Sequence, residues 1–165
     1  MSEPSHQPQD WPRNPRAEVE RLLDQLSRAI DEEAWHGPSL LPLLAPISAE
    51  HATRRPLPNR HTIWELTTHL TAWTTIARRV IQGEQFEITP EMDWPEIPDT
   101  SESGWRATVD AFRTAWHGLQ DVVKGLDDQA LRKRPPGGPR FTVYAIVIGV
   151  VQHVAYHAGQ IAILS

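Results

Sequence analysis

Apolar residues recur along most of the chain in steps of three and four, the spacing that gathers them on one face of an α-helix. Val19, Leu22, Leu23, Leu26, Ala29 and Ile30 form the first stripe. Asn14 supplies its N-cap with Pro15 at the first helical position, and Gly37-Pro38 is the expected stop, after Trp35-His36. A second stripe runs through Ile63, Leu66, Leu70, Trp73, Ala77 and Val80 or Ile81. It opens on the capping box Thr62-x-x-Glu65 and closes at Gly83. The third begins near Thr100 or Ser101 and has the cleanest period. Its Trp105, Val109, Phe112, Trp116, Leu119, Val123 and Leu126 make the seam of a bundle, with Gly125 as the stop.

The last segment starts at Thr142 and reaches the end of the chain. Val143 to Val151 is rich in β-branched residues and has the look of a buried strand. More than twenty residues without a turn signal is too long for one, so the segment is read as a helix. No other segment offers a strand partner, and the predicted fold is all-α.

Between the stripes lie proline-rich connections. Residues 38–61 hold five prolines, which forbid a long helix, although Leu40, Leu41, Leu43 and Leu44 suggest a short helical turn. Residues 84–100, with Asp93-Trp94 among Pro90, Pro95 and Pro98, read as a connection rather than an element. Residues 1–13 are polar and proline-rich and read as a disordered tail before a single domain, 14–165. The expectation is a four-helix bundle of helices about twenty residues long. Its connections are long enough that a simple up-down-up-down order is not assumed.

Composition narrows the function. A chain of 165 residues accommodates one core. A net charge of −5 and the lack of a long basic run argue against nucleic acid. The absence of cysteine removes disulfides, thiolate ligands and thiolate nucleophiles. The N-terminus lacks the apolar core of a signal peptide. Gln152 and His153 interrupt the longest apolar run, so no membrane span is expected and the cytoplasm is the default location.

Eight histidines remain as candidates for metal chemistry. His6, His51 and His117 read as tail or surface residues. His153 and His157 are four apart in an apolar helix, so both imidazoles point the same way. His69 lies at the edge of the second stripe, one turn from Glu65 and one from Trp73, and aims into the bundle. Three imidazoles from facing helices are how metal sites in bundle cores are built. Gly149, Tyr156 and Gln160 share the face of the pair. Gly149 would admit a neighbouring helix, and Tyr156 and Gln160 would orient a ligand or a water. Core packing is the expected role of Trp73, Trp105 and Trp116, while Trp35, His36, Trp94 and, as its alternative, Trp73 are candidates for a pocket rim.

With these residues assembled, the chain resembles the DinB-like family of metal-dependent enzymes. The resemblance is carried by Trp35-His36-Gly37-Pro38-Ser39, by His61-Thr62-Ile63-Trp64-Glu65-Leu66-x-x-His69, by Asp93-Trp94-Pro95 and by His153-x-x-x-His157-x-x-Gln160-Ile161. It implies a four-helix bundle of variant topology and a divalent metal held by His69, His153 and His157. It also implies kinship with transferases and isomerases that use a low-molecular-weight thiol such as bacillithiol, mycothiol or glutathione.

Three neutral imidazoles leave an ion its full charge and an open position, the mark of a catalytic site, and Zn²⁺ or Ni²⁺ suits them best. Two reactions on a small-molecule substrate follow. A hydrolase needs a base near the metal-bound water. Residue 154 is Val, so Glu65 or Asp93 would have to serve. A thiol, in contrast, is deprotonated by coordination itself, which favours thiol transfer. Glu65 is also a candidate to hold an imidazole from behind, beside its role in the capping box. The alternative from another class is a non-catalytic metal- or small-molecule-binding bundle. The apolar opening of the last helix, Val143 to Val151, suits a homodimer seam as well as a core.

Overall fold

The computed structural model describes residues 16–31 and 33–165. The tail at 1–13 and the Asn14-Pro15 start lie outside the described residues. Within them the chain forms eight helices and no strand. Four are long: α1 (Ala17–Ile30), α4 (Ile63–Ile81), α6 (Glu102–Lys124) and α8 (Val143–Leu164). Four are short: α2 (Leu40–Leu44), α3 (Ala49–Thr53), α5 (Pro90–Asp93) and α7 (Asp128–Leu131).

The helix starts obey their local chemistry. Thr62, Ser101 and Thr142 each accept a backbone N–H of the first turn, and Thr62 with Glu65 completes the reciprocal capping box. The stop of α1 is a correction. It ends at Ile30 rather than after His36, because Asp31 and Glu33 put negative charge where the terminal carbonyls already concentrate it. The chain then turns through Gly37, whose φ of 122° suits glycine alone. The connections are likewise more helical than expected: α3, α5 and α7 begin on Ser48, Thr89 and Asp127 side-chain caps.

Helix order follows from which residues meet. The Trp116 indole donates to the carbonyl of Leu26, and Arg16 reaches the carbonyl of Lys124, so α1 and α6 are antiparallel. Trp64 meets Thr108, and Arg78 lies against Gly118, so α4 and α6 are parallel neighbours. His69 faces His157 on α8, whereas Val80 and Ala145 line one cleft, so α4 and α8 are antiparallel. Around the bundle the order is α1, α6, α4, α8 and back to α1, and the directions in chain order run up, down, down, up.

One consequence positions the functional site. Two successive parallel helices require their connection to travel the whole length of the bundle, about 28 Å for the nineteen residues of α4. Residues 82–101 make that return, and the short α5 packs on α4 on the way.

The core is continuous. Trp64, Phe112, Trp116, Leu26, Ile30 and Leu70 are fully buried, and the Trp105 indole is satisfied by the carbonyl of Ile47. Trp105 and Trp116 thus pack as expected, whereas Trp73 takes its alternative place: it is only half-buried and lines the cleft described below. Leu126 lies past the end of α6 rather than on it. His117 is exposed, and the ring of His51 donates to the carbonyl of Leu164 at the end of α8. By length and composition α8 is apolar enough to cross a membrane, contrary to the expectation drawn from Gln152 and His153. A third of that apolar window is buried, where α8 packs against α1, α2 and α4.

Candidate metal centre

His69 stands on the second turn of α4, and His153 and His157 stand one turn apart on α8. Because α4 and α8 run antiparallel side by side, the three rings meet between them. His153 Nε2 lies 3.1 Å from His69 Nε2 and 2.9 Å from His157 Nε2. His69 and His157 are 6% and 7% exposed, and His153 opens to the side.

The far nitrogens decide what the near ones offer. His69 Nδ1 donates to the backbone carbonyl of Asp93 at 2.8 Å and lies 3.2 Å from that residue's Oδ1. His157 Nδ1 donates to Oε1 of Gln160 at 2.6 Å. With the proton of each neutral ring fixed at Nδ1, both Nε2 atoms present lone pairs. His153 Nε2 sits between those two lone pairs and carries at most one hydrogen, so it satisfies only one of them.

Such a convergence of nitrogen lone pairs fits a cation. Tetrahedral ligands at about 2.0–2.1 Å from an ion stand roughly 3.3 Å apart, close to the spacing found. One nitrogen from each of the three rings lies within 4.8 Å of the others, and no further His, Cys, Asp or Glu among the described residues joins them.

The electrostatics agree. The pKa of His153 is lowered to about 4, first by burial and then by the charges that His157 and His69 would carry. That of His157 is lowered as well, chiefly by burial. His153 and His157 therefore resist charging, and a neutral imidazole is what a metal ligand requires.

Asp93 and Trp94, delivered by the return connection, complete the surroundings. The Trp73 indole donates to Asp93 Oδ1 at 2.6 Å, which holds the carboxylate beside His69. Trp94 lies nearly parallel to His69 at 4.0 Å and to His61 at 3.5 Å. Two imidazoles so close to one indole cannot share a face, so Trp94 is sandwiched between them. This stack pins the His69 ring plane.

The other candidates fall on both sides of the prediction. Gln160 does hold an imidazole, and its i, i+3 spacing from His157 was a readable signal. Tyr156 contacts the His157 ring edge at 5.0 Å but is 64% exposed. Glu65 does not reach the triad. It accepts the Thr62 N–H at 2.8 Å, pairs with Arg55 at 2.6 Å and lies 3.4 Å from Nδ1 of His61, and the carboxylate behind His69 is that of Asp93. Trp35 and His36 are exposed in the turn after α1, and neither lines the cleft that opens beside His153. Gly149 admits no helix: a side chain there would meet no atom within 4 Å.

Asp93→Asn removes the carboxylate charge but keeps the backbone carbonyl that His69 also uses. Metal affinity, measured by chelator competition, is expected to fall about tenfold, within the range for partners that orient ligands. Unchanged affinity would mean that the carbonyl alone orients the ring.

A comparison with protein families matches the DinB superfamily over residues 32–161. No curated protein and no solved structure gives a significant match. The family match begins after α1 and covers α4, the return connection, α6, nearly all of α8 and all three converging histidines, and on that basis the chain belongs to the DinB superfamily.

Proposed function

We propose that the protein is a divalent-metal-dependent enzyme that transfers a low-molecular-weight thiol to a small electrophile, with His69, His153 and His157 as the metal ligands and Zn²⁺ or Ni²⁺ as the ion. The observation that carries this reading over hydrolysis is where the carboxylates point. Asp93 faces Nδ1 of His69 and the Trp73 indole, behind the ring rather than in front of Nε2. Glu65 is held by Thr62 and Arg55. Neither is placed to take a proton from a water at the open side, whereas a thiol needs no protein base.

When bound, the ion supplies the charge that lowers a thiol's pKa and makes it nucleophilic. The residues do the rest. Asp93 and Gln160 fix the tautomers of His69 and His157, and Trp94 keeps the His69 ring in place. Trp73 holds the Asp93 carboxylate and stands 6.1 Å from the His153 ring, nearly perpendicular to it. In the reaction the sulfur forms a bond to an electrophilic carbon and the leaving group departs with the electron pair of its bond. The thiol proton passes to solvent.

The test offers bacillithiol, mycothiol and glutathione separately with a chromogenic aryl halide. Conjugation is expected with at least one thiol, to be abolished by chelation and by His69→Ala, and to return when metal is restored to the wild type. Turnover that survives His69→Ala would refute the mechanism. Hydrolysis of an activated ester by the metal-loaded protein, without thiol, would favour the hydrolase instead.

A further inference from the structure

A cleft of about 940 Å³ opens beside the triad, between the C-terminal half of α4 and the N-terminal half of α8. Trp73, Ile76, Val80, Phe86 and Ile146 line its walls, and His153 stands at its inner end. The volume suits a small organic molecule. At its rim Ile88 and Phe141, 43% and 52% exposed, extend the apolar lining to the surface. Among the described residues that line it there is no lysine or arginine. The nearby Arg79 is engaged by Glu84 at 2.7 Å and lies over the Phe86 ring. A strongly anionic ligand would lose its hydration here without a cation to replace it, and Glu84 on the lining would repel it; Gln85 and Gln152 are the neutral polar side chains present.

Gly149 adds an independent sign. It sits in the middle of α8, where glycine weakens a helix, and no close neighbour demands it. A side chain there would project into open space, and Gly149 itself lines the cleft one turn before His153. Its missing side chain widens the cleft next to the site.

We propose that this cleft binds the apolar aryl or alkyl body of an uncharged acceptor substrate, with Gly149 setting the width available next to His153. This rests on the thiol-transfer reading for the word acceptor, but the apolar specificity follows from the cleft itself. The hydrophilic thiol would then approach from outside the cleft.

The test uses the full-length zinc-loaded protein with the neutral dye Nile red, displaced by 1-butanol, 1-hexanol and 1-octanol, while zinc content is measured in parallel. Affinity is expected to rise about three- to fourfold per methylene, as expected for buried CH₂ groups. Gly149→Leu should flatten that gradient and weaken octanol at least tenfold, with zinc content unchanged. Ala145→Trp, on the exposed side of the same lining, provides a second obstruction should Gly149→Leu fail to fold. A flat gradient in the wild type, or one that survives the obstructing variants, would overturn the proposal. So would a dimer in sizing experiments that Gly149→Leu dissociates, since the cleft would then belong to a second copy. If the protein binds no zinc yet the gradient persists and depends on Gly149, the cleft stands and the metal reading fails.

Discussion

His153→Ala, in protein purified without a histidine tag, is expected to lose its stoichiometric metal while the bundle remains folded. His153 Nε2 is the atom both other rings approach, at 3.1 and 2.9 Å, so its removal leaves only two of the three converging nitrogens. Losing a direct ligand should cost more than losing a residue that only orients one, so the fall in affinity is expected to exceed about 100-fold. The fold should survive because His153 is only partly buried, and its burial disfavours the charged ring rather than supporting the core. Metal analysis by mass spectrometry, with circular dichroism and a thermal melt as controls, checks both halves. One metal per chain retained in the variant would sink the three-histidine site. His69→Ala should lose metal too, but with some loss of stability, because it also empties the stack with Trp94 and frees Asp93.

Acid is expected to weaken the metal-free protein in a window set by the same residue. His153 titrates near 6.5 when unfolded and at about 4 when folded. Below pH 6.5 the unfolded chain therefore binds more protons than the folded one, and stability falls as the pH drops towards about 4. The contribution is fully present above 6.5. His157 shifts in the same direction and adds to the slope. The lowered carboxylates Asp24, bonded to Arg28, and Asp99, bonded to Ser101, act in a lower window, below about 4. Thermal melts of metal-free protein from pH 7.5 to 4.5 should thus decline, and His153→Ala should decline less. Parallel curves for the two proteins would show that His153 is not held neutral by the fold. Metal should protect the wild type across the same range, with release only once protons outcompete it.

The centre was legible to a depth set by how local its signals are. His153 and His157 announce themselves because helical spacing alone puts them on one face, and Gln160 follows from the same spacing. His69 could be chosen because the capping box at Thr62 locates its helix and the apolar stripe orients it. Asp93 and Trp94 stood out as part of the family motif, as a candidate base and as a candidate for the pocket rim, but not as the partners of His69, since nothing in their neighbours says which helix they cross. Trp35 and His36 misled for the opposite reason. They form a conspicuous local motif, yet α1 stops early and leaves them in solvent.

By itself, the sequence determined the all-helical class, the starts of α4, α6 and α8 and the three histidines, because periodicity and caps act over a few residues. Tertiary structure decided that α4 and α6 run parallel, and much of the rest follows from that direction. A parallel pair needs a connection along the full bundle, and its midpoint carries Asp93 and Trp94 to His69. The antiparallel pairing of α4 with α8 brings three imidazole nitrogens within 4.8 Å of one another and opens the apolar cleft beside them. Those contacts join residues more than eighty positions apart, a distance over which only packing, and no local preference, selects a partner.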